Sequence, residues 1–232
     1  MNSSGVHTDR SISKSEPGRR RRETMTSRER VLAALTHEEP DRVPLDMGAT
    51  IMSGIMAHAL DRLRRYLGLS RRPVKVYEVF QMLGEVEMDV VERLGIDVLP
   101  VEPPVQFFGL RRESWKPWKL WDGTDVLVPG QFDVEVDAGG NWLLHSEGDP
   151  ARPVEGRMPE DGFYFDMASM TDTHLDYEPP PVEEVRKENL ITGEELEFLA
   201  ARAETLRRET DKALLLGCWG WVGLPWVGSI PD

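Results

Sequence analysis

This chain is poor in cysteine and histidine and has no long apolar run. Its one cysteine, Cys218, excludes an intramolecular disulfide and fits a reducing compartment. It also excludes a Cys-rich zinc site built from this chain alone. No apolar stretch approaches the ~18–20 residues that span a bilayer. The longest, from Ala213 to Leu216 and on past Gly217, is strand-sized. The amino terminus is polar and lacks an apolar h-region, so it does not read as a secretory signal. These absences predict a cytoplasmic protein without membrane contact.

Positive charge is the next shortage. The net charge is −13, and it is unevenly spread. Residues 1–24 carry six Lys/Arg against three Asp/Glu, so the rest of the chain holds −16. An acidic body argues against binding a nucleic-acid backbone, which needs clustered Lys/Arg. Residues 1–24 have no periodicity despite the Arg19–Arg22 run, and read as a disordered basic leader. Met25 is a plausible alternative start, because patterned sequence begins directly after it.

What is present suffices for a core: 40% of the residues are hydrophobic. Thr26 with Glu29 forms a capping box that opens a helix to Leu35, with Val31, Leu32 and Leu35 as its apolar face. Val43–Met47 is a short strand candidate in which Pro44 removes one ladder donor. Ile55–Leu67 follows a 3.6-residue period, with Arg62, Arg64 and Arg65 on or near its wet side. Residues 84–94 predict a helix stopped by Gly95, and Ile96–Val101 a strand after it. Thr192 and Glu195 make a second capping box, for a helix to Thr210. Ala213–Leu216 then reads as a strand buried on both sides.

Residues 105–181 are different, rich in Trp, Gly, Asp and Pro. β-type runs at Asp125–Val128, Phe132–Val136 and Asn141–Leu144, with a turn at Ala138-Gly139-Gly140, predict an antiparallel insertion. Gly148–Pro181 reads as a long surface loop and Val182–Glu188 as a short helix.

The opening segment, from Met25 through Glu39-Pro40-Asp41-Arg42-Val43-Pro44-Leu45-Asp46, resembles the start of uroporphyrinogen decarboxylase family proteins. There a short helix leads through an E-x-P-D-R-x-P turn into the first barrel strand. Leu94-Gly95-Ile96-Asp97-Val98-Leu99-Pro100-Val101 resembles the family's second strand, and the region around Leu215 and Cys218 a mid-barrel strand. The similarity spans roughly residues 25–225. The resemblance implies an α/β fold, the amino-terminal half of a (β/α)₈ TIM barrel, with 105–181 inserted. On this expectation the last four or so β/α units lie outside the chain. Exposed sheet edges then predict a dimer or a partner chain that completes the barrel.

The family holds decarboxylases and a methyltransferase branch that moves methyl groups between corrinoid proteins, thiols and methylated or methoxylated substrates. The decarboxylases carry an arginine-rich loop after the first strand, which pairs with tetrapyrrole carboxylates. Here that place reads Asp46-Met47-Gly48-Ala49-Thr50 onward to Ile55, without arginine. Multi-carboxylate substrates need fixed cations, so the resemblance points to the methyltransferase branch. Tetrapyrrole decarboxylation is one alternative; for this chain alone, an inactive fragment or subunit that needs a partner chain is the expected state. The branch implies zinc and a corrinoid for a full-length relative, the zinc held by a His-x-Cys pair and a later Cys. This chain has no His after His174 and only Cys218, so no metal ligand is assigned to it. The expected partners are a small-molecule substrate or a corrinoid protein.

Asp46 and Glu102 are the catalytic candidates. Asp46 ends a strand, and Glu102 is the acid nearest the position of the decarboxylases' essential aspartate. Trp219 and Trp221, beside Trp226 in a Gly/Trp loop, are candidate substrate-pocket walls. Asp97 lies within its strand pattern and reads as a structural hydrogen bonder. His58 reads as exposed; His145 and His174 lie in loops, 29 residues apart.

Overall fold

Thr26 and Glu29 start the first helix as their spacing predicts. Each side chain satisfies the other's backbone N–H, which opens α1 (Ser27–Leu35). The computed structural model describes residues 24–168, 181–183 and 192–216. After α1 come α2 (Ala57–Tyr66), β1 (Val74–Glu78), β2 (Leu83–Gly84), α3 (Met88–Leu94) and β3 (Val98–Val101). Six strands follow: β4 (Lys116–Lys119), β5 (Asp125–Val128), β6 (Val134–Val136), β7 (Trp142–His145), β8 (Val154–Met158) and β9 (Asp166–Met167). Then come α4 (Gly193–Glu209), opened by the Thr192/Glu195 capping box, and β10 (Ala213–Leu216).

These elements correct the expected α/β fold, a partial (β/α)₈ barrel. Among the described residues the strands form three small sheets, ordered β2-β1-β5-β4, β10-β3 and β6-β7-β8-β9, and none closes. Only β1 with β5 and β3 with β10 pair in parallel; the other ladders are antiparallel. A barrel needs one continuous parallel ring. Its expected first strand, Val43–Met47, forms no ladder. Pro44 lacks a donor, and the segment's backbone link to the next expected strand is a single bond from Asp97 N–H to the Leu45 carbonyl, 2.8 Å. The 105–181 segment, expected as an excursion, supplies β4 to β9 and with them most of the sheet.

Two apolar clusters organise the chain. The larger joins α2 (Ala57, Leu60), β1 (Val74, Val76) and β5 (Val126, Val128) to Phe132, Leu144, Met158 and Phe165. The smaller joins Val91 of α3 and Leu99 and Val101 of β3 to Leu199 and Leu206 of α4. Met47, Val86 and Leu94 touch both, so the two clusters are continuous through them. The Trp118, Trp121 and Trp142 rings meet at centroid separations of 5.7 and 4.4 Å beside the larger cluster.

The buried face of α1 is the reverse of its apolar pattern. Leu32 and Leu35 face solvent, Leu35 at 71% exposure, while Ser27, Arg30 and Ala33 are buried. The reason is an ion network. Arg30, 1% exposed, reaches Asp41 and Asp97, each at 2.6 Å. Arg42 reaches the other oxygen of Asp97 at 2.6 Å, and the Leu45 N–H donates to it at 2.8 Å. Asp97 is 0% exposed. Its burial would raise its pKa, but hydrogen bonds from Arg42, Leu45, Ser27 and Arg30 hold it below the ordinary carboxylate value. The structural role read for Asp97 is therefore borne out: it ties α1, the 41–45 segment and β3 together.

Three further expectations change. Arg64, placed on the wet side, is buried against Asp89 at 2.8 Å. Gly148–Pro181 is not all loop: β8 and β9 lie in it. β10 pairs with β3 on one edge only among the described residues, and Leu215 and Leu216 are exposed. The 182–188 helix lies mostly outside the described residues. No helix among the described residues is long and apolar enough to cross a membrane.

Candidate substrate cleft

β1 is a five-residue run whose Val74 and Val76 enter the larger core, and it brings Tyr77 and Glu78 to its carboxyl end. β3 runs through Val101 into Glu102 and the Pro103-Pro104 segment. The two strand ends meet at Arg112. Its Nε donates to the Tyr77 carbonyl at 2.9 Å, and Nη1 donates to the carbonyls of Pro103 and Val105. Its Nη2 reaches Glu102 Oε2 at 3.4 Å. One guanidinium thus clips both strand ends and faces a carboxylate.

Above them opens a cleft of about 1060 Å³. Its floor is Tyr77, Leu99, Glu102 and Arg112, and one wall carries Glu85, Glu87 and Asp89 before and within α3. Trp115 and Arg111 stand on the rim, and α4 contributes Glu194, Glu195, Glu197, Phe198 and Arg202. Eight acidic and five basic side chains line the cleft. Four of the five cations already face carboxylates: Arg72 on Glu87 at 2.7 Å, Lys75 on Glu85 at 3.2 Å, Arg111 on Glu113 at 3.2 Å, and Arg112 on Glu102.

The electrostatics of the floor follow from burial. Glu78 is fully buried, and its two oxygens accept the Phe80 and Gln81 N–H groups, both at 2.8 Å. Desolvation outweighs these bonds and lifts its pKa to about 7. Burial also raises Glu102, opposed by the charge of Arg112, and lowers Arg112. Tyr77 is raised by burial first, then by the Glu102 and Glu78 charges; its hydroxyl donates to the Thr50 carbonyl at 3.4 Å. Two carboxyl groups are therefore raised by burial here: Glu102 pairs with Arg112, and Glu78 is held by backbone N–H groups. Glu78 can hold or release a proton near neutral pH, and Glu102 is the carboxyl group of the two that lines the cleft.

Of the residues picked from sequence, Glu102 lies in this cleft, 13% exposed. Asp46 does not line it: Asp46 is exposed and caps a turn by accepting the Ala49 N–H at 3.1 Å. Gly48, two residues on, does line it. Trp219, Trp221, Trp226, Cys218 and His174 lie outside the described residues. His58 is half-buried and stacks on Phe163 at 4.3 Å, and His145 Nδ1 bonds the Arg152 carbonyl at 2.7 Å. Among the described residues no three His, Cys, Asp or Glu side chains converge to hold a metal ion. Sequence reading missed Tyr77, Glu78 and Arg112. The available signal was an acid closing the Val-Lys-Val-Tyr-Glu run, where a buried strand rarely carries one.

No family model matches this chain, and no curated protein and no solved structure matches it.

Proposed function

We propose that the chain belongs to the methyltransferase side of the uroporphyrinogen decarboxylase-type proteins. On this reading its cleft holds a small methylated or methoxylated molecule while the methyl group leaves for a thiol or cobalamin acceptor. The Pro40-Asp41-Arg42 and Leu94–Val101 segments support the kinship. The single observation that carries the activity is Glu102, a carboxyl group raised by burial, held by one guanidinium and facing a cavity.

That group suits the chemistry. When a methoxy carbon departs to a nucleophile, the C–O bond breaks and its electron pair stays on oxygen. The oxygen needs a proton, and a carboxyl group poised above its ordinary pKa supplies it as a general acid. Glu102 is the donor, and Arg112 holds it in place. The nucleophile comes from outside the described residues: a corrinoid on a partner protein supplies it as co-substrate. The side chains described do not fit zinc, so no step is assigned to that metal. Tetrapyrrole decarboxylation is disfavoured because a substrate carrying several carboxylates would meet eight acids in this cleft.

The test is a methyl-transfer assay with a methoxyphenol and cob(I)alamin, followed through the visible absorption of methylcobalamin. The wild-type chain is expected to form the benzenediol and methylcobalamin in equal amounts. Glu102→Gln, with an unchanged far-ultraviolet spectrum, is expected to slow the reaction by about 100-fold. A wild-type chain that gives no product, or that binds uroporphyrinogen instead, overturns the reading.

A further inference from the structure

We infer that the cleft selects a small organic cation, a compound whose polar end is an ammonium group flanked by apolar carbons. The inference rests on the reading of this cleft as the substrate site and narrows its substrate class. Two independent features carry it. The first is on the floor, where Glu102, 13% exposed, lines the cavity and its ion pair to Arg112 is 3.4 Å long. When Glu102 is ionised, that long contact leaves its charge poorly balanced in a half-dry corner, and a cation bound in the cavity offsets it.

The second is on the α4 wall. Glu194, Glu197 and Phe198 are spaced three and four residues apart and so share one helix face, and all three line the cavity. Phe198 is 46% exposed, a large ring held at the mouth of the cleft rather than in the core. An aromatic face between carboxylates binds an ammonium group through its ring quadrupole and the adjoining charges. The cleft already shows this preference: the Arg112 guanidinium lies 5.9 Å from the Tyr77 ring centroid, and the Lys75 ammonium 5.6 Å from that of Trp115. An anion finds four of the five lining cations engaged.

The experiment is calorimetric titration of the full chain with tetramethylammonium, with a neutral methoxyphenol and with acetate as separate arms. Saturable binding of tetramethylammonium is expected, and none of acetate. Glu197→Gln and Phe198→Ala sit on an exposed helix face and leave the core untouched. Each is expected to weaken tetramethylammonium binding by about threefold without shifting the unfolding midpoint. Binding of the methoxyphenol but not of tetramethylammonium refutes the cation inference and leaves the methyl-transfer reading standing. Binding of neither refutes both. Tetramethylammonium binding that both α4 variants leave unchanged places the cation elsewhere and refutes the inference.

Discussion

Glu78 makes this protein lose stability as pH rises through neutrality. The group has a native pKa of about 7, against 4.5 for the free side chain. Between those values the native chain binds a proton that the unfolded chain has released. Its contribution is therefore neutral below pH 4.5 and becomes increasingly destabilising up to and beyond pH 7. At about 1.4 kcal/mol per pKa unit, the full span is about 3 kcal/mol, most of it between pH 5 and pH 8. Glu78→Gln removes the titration. The amide oxygen can still accept one of the two N–H bonds from Phe80 and Gln81; losing the other costs about 1 kcal/mol at every pH.

Urea unfolding at pH 5, 6, 7 and 8, read by tryptophan fluorescence, gives the stability of both proteins across that range. The wild-type minus Glu78→Gln difference should fall by about 2.5 kcal/mol from pH 5 to pH 8, so the variant should be the more stable protein at the alkaline end. Taking the difference cancels the groups common to both chains, including the depressed carboxylates Asp41, Asp89 and Asp97, whose stabilisation is lost only as pH falls through their own low native values. A difference that stays flat, or that rises with pH, means Glu78 is ionised throughout the range and refutes the desolvation argument.

Asp97→Asn leaves Arg30 and Arg42 facing an uncharged amide inside the network, and should destabilise by about 3 to 5 kcal/mol in urea unfolding. Gly148 has φ +70°, and a Cβ there would lie 1.8 Å from the Gln131 carbonyl oxygen. Gly148→Ala should therefore cost well above the ~1 kcal/mol of a simple positive-φ penalty, while Gly68→Ala, also at φ +70° but in open space, should cost only about that. Phe132→Ala empties a fully buried ring position in the larger cluster and should lower stability by about 3 to 5 kcal/mol. In a proton NMR titration the His58 ring should have a midpoint below 6.5, because burial disfavours its charge. His145 should titrate above 6.5, because the Arg152 carbonyl accepts its proton.

Local chemistry was legible in the sequence, and long-range pairing was not. Both capping boxes are four-residue matters, so Thr26/Glu29 and Thr192/Glu195 could be read directly, as could the stop at Gly95, which sits at φ +71°. Asp125–Val128 was legible because alternation marks a half-buried strand. β1 was passed over as a strand, although its valines fill the core. The direction of α1 was misread because periodicity assumes that the apolar side faces inward. Arg30 overrides that assumption through partners 11 and 67 residues away. The cleft is harder still: Arg112 and Tyr77 are 35 residues apart, and no local pattern joins them. Glu102 was reachable only by counting from the strand that precedes it.

The residues that carry the family resemblance and the residues that could carry chemistry differ in their surroundings. Asp41 and Asp97 are held at 2.6 Å by guanidinium groups, with backbone N–H donors besides, and both have lowered pKa values. Such a carboxylate stays ionised and cannot release a proton near neutral pH, so its work is to anchor α1 against β3. Glu102 has the opposite environment: one guanidinium at 3.4 Å, a raised pKa and a cavity in front of it. The Pro40-Asp41-Arg42 motif therefore specifies a corner of the scaffold. At the strand ends that Arg112 clips together, Glu102 is the acid that lines the cavity.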